Sequence, residues 1–539
     1  MAQIPVRLTT QGMTFPMLSE QCGLTVVDGR GDLTYVPGVS TDGDVPENRG
    51  VPGILYAENV MPSTNGWQSV SYTAMVQFAS EQYTFYDIQL VHGASIASGS
   101  SRPSASGLRT YVAMAYVEAT GQTSVFYLTT GGTWANLTLQ GAGPMIVTGQ
   151  PLITTAHVNG YTYLCIENVA YGIINVDTGV LIPRTFAGLD MQAVKGLVSA
   201  NGHLIAFTIN SLAWSSTVDV EDFVPSDVSG AGGGGVQEAA GDIIVCKASP
   251  IGFIIFTDSN CVAAIYTGNS AYPFEYKEIP SAGGIARSVH VSDDTISGSY
   301  YAITSAGIQK ISPTGAQTVL TNIADFLSGK VIETWDNSVG QLVRTTLPGD
   351  MGRKIQTIAN RYIIISYAHS DTYVHQYAIV VDAIQNRLGR LKVENTRFFE
   401  LGRTEAFPNL DPRATLGVMN KRGGISRIRF DLDCAQAAGV MLFGRIQYMH
   451  QRLTQMQEVK LERTCPAGNF SLGIMVSYDG TNFSPVSVGY VRPEDTAKFS
   501  RRYLFSAVGV NHTLVVRGAF DINSILVSLN LHGMTSSMT

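Results

Sequence analysis

Short runs of apolar residues recur along most of the chain and stop at Gly, Asn, Asp or Pro. TYVAMAYVE (110–118), SVFYLTT (124–130), YTYLCIENVAYGIINV (161–176), GHLIAFTI (202–209), GFIIFTD (252–258) and CVAAIYTG (261–268) are rich in β-branched and aromatic residues. That composition suits strands on a pleated surface. Long patterns with helical spacing are nearly absent, and the best short helix candidates are Asn322–Ser328 and Gln436–Val440. The pattern predicts an all-β protein.

The runs gather into clusters at 75–92, 110–137, 152–180, 194–214, 243–266, 285–311 and 355–392. Each unit takes up about the 40–50 residues of a four-stranded propeller blade. Gly160-Tyr161, Gly202-His203 and Gly252-Phe253 recur as tight turns between the first two strands of a unit. The expectation is a β-propeller of roughly six to eight blades over residues 67–430, with a large β-sandwich array as the structural rival. A boundary falls near 430–455. Beyond it FSLGIMVSYDGTNFSPVSV (470–488) reads as a hairpin turning at Asp479-Gly480. The strand-like RRYLFSAV, HTLVVRGAF and SILVSLNLHG follow, predicting a separate antiparallel β-sandwich domain over 431–539. Residues 1–66 are Gly/Pro-rich with few periodic runs, as in an extended arm or strap.

The window from Ile209 to Gly235 combines several signals. A short apolar strand ends at Trp214, a polar loop carries Asp219, Glu221, Asp222 and Phe223, and a glycine run follows. The glycines read as a loop, since neither helix nor strand favours them. Gly230–Gly235 also matches G-x-G-x-x-G, but the dinucleotide fingerprint needs a strand before it and a helix after it. Here a polar loop precedes and a strand-like run follows, so the window reads as a blade edge.

Composition changes the picture in one respect. At 539 residues the chain exceeds a single ordinary core, which predicts two or three domains. Charged residues make up only 14%, against roughly 25% in typical domains. Such a surface fits polar, uncharged loops, burial against neighbouring subunits, or both. The net charge of −7 and pI near 5.7 argue against a chain whose main task is gripping nucleic acid. They leave room for a pore through which nucleic acid slides. Lys421, Arg422, Arg427 and Arg429 form the densest basic cluster and read as a solvated or intersubunit face.

Little catalytic chemistry is visible. The six cysteines show no zinc spacing, and Cys165 and Cys246 sit in apolar runs as inert reduced thiols. The N-terminus has no signal-peptide core, and no apolar run reaches membrane-span length. No Walker A, HExxH or GxSxG pattern occurs. Ser477–Phe483 resembles an Asp-box turn but is a residue short, and Arg30-Gly31-Asp32 reads as a chance tripeptide. Asp293-Asp294 and Glu221-Asp222 are the carboxylate pairs available for acid–base work, but both lie in polar loop sequence and read as solvated. The nine histidines are dispersed, and His369 and His375 show no ligand spacing.

Three segments carry a resemblance. YAENVMPSTNGWQSV (56–70), AWSSTVDVEDFVPS (213–226) and VVDAIQNRLGRLKVENT (380–396) resemble segments of the tail nozzle proteins of short-tailed bacteriophages. Leu388 stands where that family has an aromatic residue, so either this blade packs differently or the match there is looser. The resemblance spans about residues 54–531 and includes the order arm, propeller, sandwich. It implies a non-enzymatic virion protein with no cofactor, assembled in the host cytoplasm into a hexameric ring at the end of the tail. The implied partners are the adapter ring, tail fibres or spikes, and viral double-stranded DNA in transit. The acidic balance suits such a channel, because it repels phosphates. On this reading Trp214 and Phe223 anchor a blade and its loop, beside Asp219 and Asp222. Trp67 pins the strap, and Asp479-Gly480 shapes a platform hairpin. The rival is a tail propeller that binds or hydrolyses host-surface glycans; it would show convergent carboxylates and arginines at the axial mouth.

Overall fold

A computed structural model describes residues 2–6, 24–27, 33–36, 54–63, 66–78, 81–97, 100–320, 331–336, 341–346, 354–368, 374–385, 387–410, 416–429, 439–443, 446–448, 453–463, 470–478, 484–490 and 500–531. Among the described residues there is no α-helix. Two single 3-10 turns, Met191–Ala193 and Ser288–His290, interrupt an otherwise all-strand molecule.

Most sheets are built from strands that follow one another in sequence and pair antiparallel. One sheet comprises Gly196–Ala200, His203–Phe207, Ser211–Trp214 and Gly232–Gly235; the next comprises Ile243–Ser249, Gly252–Thr257, Cys261–Tyr266 and Phe274–Glu278. Tight turns set their register. Asn159-Gly160, Asn201-Gly202 and Ser297-Gly298 each have two positive φ angles and join residues paired directly across the turn. This geometry matches the right-handed strand twist, and Gly and Asn adopt it at little steric cost.

The first strands of successive sheets touch. Thr84–Ser95 packs on Ile153–Val158, that strand on Gly196–Ala200, and that in turn on Ile243–Ser249. A shared apolar cluster continues from Phe253 and Phe256 to Tyr300 and Ala302. Tyr300–Thr304 then meets Lys354–Ile358, which meets Arg397–Glu400, which returns to Thr84–Ser95. The contacts therefore close a cycle, giving a propeller-like succession of sheets. The closing sheet is itself composite: Ser71–Val76 pairs with Ile425–Arg429 as its outer strand.

The ends of the chain are woven together. Ala2–Val6 pairs with Asp521–Leu531, and Ile54–Glu58 pairs with Gly439–Phe443. Val60–Pro62 and Trp67–Ser69 bridge Arg387–Asn395 to Asp521–Leu531 inside a ten-stranded sheet. One apolar cluster accordingly unites Ala57, Val60 and Trp67 with Ile363, Leu388, Leu472, Leu514 and Phe520. Sheets thus run across the borders anticipated at 66/67 and 430/431. The physical reason is that three-residue strands such as Val60–Pro62 are too short to show a period of two, while their side chains are fully buried.

Two local expectations are corrected. The glycine run is not a loop, because Gly232–Gly235 is an edge strand in register with Ser211–Trp214. Backbone pairing needs no side chain, and the Trp214 ring covers Gly232, where an added Cβ would stand 3.1 Å from the indole. Gly232→Ala is therefore expected to lower stability by about 1 kcal/mol through overpacking, read as a lower urea midpoint. The helix anticipated at Gln436–Val440 is also displaced, since Gly439–Phe443 is a strand held between two partners. Asn322–Ser328 lies outside the described residues.

Candidate functional site

The inner strands bring charged side chains together from sheets far apart in sequence. Arg397, at the start of Arg397–Glu400, is buried and donates from Nη2 to Asp293 Oδ2 at 2.6 Å. Its Nε lies 3.6 Å from Asp87 Oδ1, which also accepts the N–H of Ile88 at 2.8 Å. Lys247 Nζ reaches the other Asp293 oxygen at 2.9 Å. Lys354, buried on the neighbouring strand, donates to the Thr396 carbonyl. Asp293 is held by local pairing, as Val291 bridges Ala302 and the Ser292 N–H bonds to Tyr301.

The electrostatics follow from burial and pairing. Burial alone would raise the Asp293 carboxyl, yet the Arg397 and Lys247 cations hold it well below the usual range. Burial raises Asp87, against the pull of Arg397. Asp294 is pushed up to about 6 by packing around it and by the Asp293 and Glu400 carboxylates. Its side chain stays open to water, so screening tempers that rise. Asp293 is therefore not the solvated carboxylate its loop sequence suggested, whereas Asp294 stays open to water. Asp293 is a shared acceptor between two cations, Arg397 and Lys247, which sequence reasoning missed, as it missed the buried Asp87 and Lys354 beside them.

Lys354 offers a pH test. Burial, with help from Arg397 and Arg287, lowers its amine from the ordinary 10.5 to about 7, while Asp87 acts in the opposite sense. Between these values the unfolded chain holds a proton that the folded chain releases, so raising the pH favours folding. Stability is expected to rise from pH 7 towards 10 in a series of urea melts. Lys354→Met should flatten that slope.

The residues singled out from the sequence are placed as follows. Phe223 is buried against Phe186 at 5.4 Å, and its N–H bonds to the Ala187 carbonyl. Asp219 and Asp222 accept the N–H groups of Glu221 and Val224, locking the loop as turns. Glu221 is not solvated: Arg184 clamps it at 2.6 and 2.7 Å, and Tyr163 donates to it at 2.8 Å. Trp214 is half-buried and meets Phe274 of the next sheet edge-on at 6.0 Å. Trp67 is fully buried, donates to the Leu388 carbonyl at 2.9 Å, and lies under the Arg387 guanidinium at 5.1 Å. Asp479, Gly480 and His369 lie outside the described residues. Trp67, Trp214 and the Asp219–Phe223 loop occupy separate places and form no common site.

Lys421 and Arg422 make only loose surface pairs with Glu394 and Glu81, at 3.8 and 3.7 Å. His375 is buried and bonded to Ser366. Cys165 and Cys261 are buried free thiols pushed up to about 12 by burial. A shallow groove of about 590 Å³ between 138–143 and 175–182 has an uncharged lining. Among the described residues no three His, Cys, Asp or Glu side chains gather as a metal cluster, and no helix is long and apolar enough to cross a membrane.

No family model and no curated protein matches the chain. Solved structures match only loosely. The extracellular domain of a one component system from B. thetaiotaomicron is 7% identical, covers 69% of this chain and 68% of its own, and gives a TM-score of 0.26. An exo-β-1,3-galactanase from Phanerochaete chrysosporium is 8% identical over 88% of this chain and 95% of its own, with a TM-score of 0.20. A family 43 arabinoxylan arabinofuranohydrolase from Bacillus subtilis is 10% identical over 97% and 99%, with a TM-score of 0.17. Likenesses this weak say nothing about activity.

Proposed function

We propose that this chain is a non-enzymatic structural subunit of a short-tailed bacteriophage, the nozzle that closes and then conducts the genome-ejection channel. The observation that carries the reading is the weaving of the two ends. Strands from 2–6 and 54–69 are built into sheets with 387–395, 439–443 and 521–531. A subunit that restrains packaged DNA must transmit load without shearing, and strands shared between its parts do that better than a linker. The three segments resembling nozzle proteins lie in this woven region and in the loop pinned by Phe223.

In the same proposal, the sheets whose inner strands close a cycle are blades. Of the nine sheets among the described residues, all but the 331–346 hairpin and the eight-stranded sheet take part, which the proposal counts as seven blades. Ser71–Val76 latches the ring, and the sheets around 439–531 make the sandwich platform. The proposed assembly is a hexameric ring in the virion, bound to an adapter ring and to fibres or spikes, with DNA passing through transiently. The net charge of −7 suits that passage.

The glycan-hydrolysing reading has one observation in its favour, the convergence of Asp293 with Asp87, Lys247 and Arg397 of the inner strands. Against it, Asp293 is committed to two ion pairs and Asp87 to a third. A carboxylate engaged in this way is poorly placed to attack a sugar or shuttle its proton. Mass photometry of the purified chain, alone and with adapter ring, decides between them. Rings are expected. A particle that stays monomeric in both conditions and cleaves surface glycans would sink the nozzle reading.

A further inference from the structure

We propose that His92 and His157 form a binding site for a borderline divalent transition-metal ion, Zn2+ or Cu2+, which staples two neighbouring sheets. His92 lies on Thr84–Ser95, and His157 on Ile153–Val158 of the next sheet in the cycle. Their ring centroids are 4.5 Å apart, with planes at 55°. When one ion binds a nitrogen of each of two imidazoles at 2.0–2.1 Å, with an angle between square and tetrahedral, the centroids fall about 4.5–5 Å apart. The rings already stand at that separation, on strands rather than loops, so binding requires little ordering. Imidazole nitrogen is a donor that suits zinc and copper.

Thr162 supplies the supporting contact. Its hydroxyl accepts the backbone N–H of His92 at 3.0 Å and lies 3.3 Å from His157 Nδ1. With Nδ1–H donating to that hydroxyl, the His157 Nε2 lone pair is left for the ion, the arrangement that orients metal-bound histidines. The His92 ring nitrogens make no hydrogen bond to any described residue. Burial lowers the basicity of both rings, and Arg109 adds to the effect, so both are neutral near pH 7 and able to ligate. Arg109, across the strand pair from His92, is exposed and can turn its charge into solvent. Water completes the coordination. This site stands apart from the tail reading and from the Asp293 cluster.

The test is titration of the full chain with zinc chloride by calorimetry near neutral pH, with the Cu2+-loaded chain read by electron paramagnetic resonance. One ion per site with two nitrogen ligands is expected, together with a rise in Tm on adding Zn2+. His157→Gln, at an exposed position where folding is not at risk, should weaken binding at least about tenfold and abolish the rise, and His92→Gln should do the same. Thr162→Val should weaken it less. The proposal is overturned if the wild-type chain takes up no Zn2+. It is equally overturned if both histidine variants keep the wild-type stoichiometry and affinity, which would place the ion on other histidines.

Discussion

Arg397→Met is expected to destabilise the folded chain by about 3–5 kcal/mol, the range for removing one partner of a buried ion pair. Methionine keeps much of the side-chain volume and deletes the charge, so the loss reports electrostatics more than packing. The arginine lies between Asp87, on the adjoining inner strand, and Asp293, in a bend, and all three are removed from bulk water to differing degrees. Without it, Asp293 keeps only Lys247, and Asp87 keeps the Ile88 N–H and the more distant Lys354. Two carboxylates with reduced compensation then sit where three sheets meet. The urea midpoint measures the effect, with the m-value checked for constancy. A double-mutant cycle with Asp293→Asn sharpens it, because the neutral partner should recover part of the loss. A change below about 1 kcal/mol, the level of exposed pairs, would mean that water screens the cluster.

What the sequence revealed and what it hid follow from the range over which each signal acts. Runs such as 202–209 and 252–258 were legible because a strand's period and its turn residues lie within ten positions. The turns at Gly160 and Gly202 were legible because positive φ selects glycine. Val60–Pro62 and Trp67–Ser69 were not, since three residues carry no period and, beyond each other, their partners lie more than three hundred positions away. The Gly232–Gly235 strand was hidden because its pairing is purely backbone and its cover comes from Trp214. The Asp293 cluster was hidden for a further reason. Positions 87, 247 and 397 belong to three different sheets and 293 to a bend, and nothing local distinguishes Asp293 from a solvated loop carboxylate. Only the cyclic contact of inner strands brings the four together. The His92–His157 pair is the same case, since a dispersed histidine acquires chemistry only when a neighbouring sheet supplies the second ring.

Trp67→Ala should destabilise by about 3–5 kcal/mol, as for a large aromatic deleted from a core. The side chain is fully buried in the cluster that holds Ile363, Leu388, Met456, Leu514 and Phe520 together. The backbone at the same position pairs with Pro62 on one side and Ile522 on the other. The indole N–H donates to the Leu388 carbonyl, so truncation both opens a cavity and removes that hydrogen bond. Trp67→Phe separates the two effects, because it keeps most of the apolar area and loses only the donor; about 1–2 kcal/mol is expected. The location of the damage matters as much as its size. If Trp67 joins 387–395 to 521–531, hydrogen exchange in the alanine variant should speed up first in those strands and in 60–69. The 196–278 sheets, which share no core residue with it, should stay protected. Uniform loss of protection across both groups would show that the woven sheets and the propeller-like cycle unfold as one cooperative unit, and that Trp67 supports the whole rather than the join.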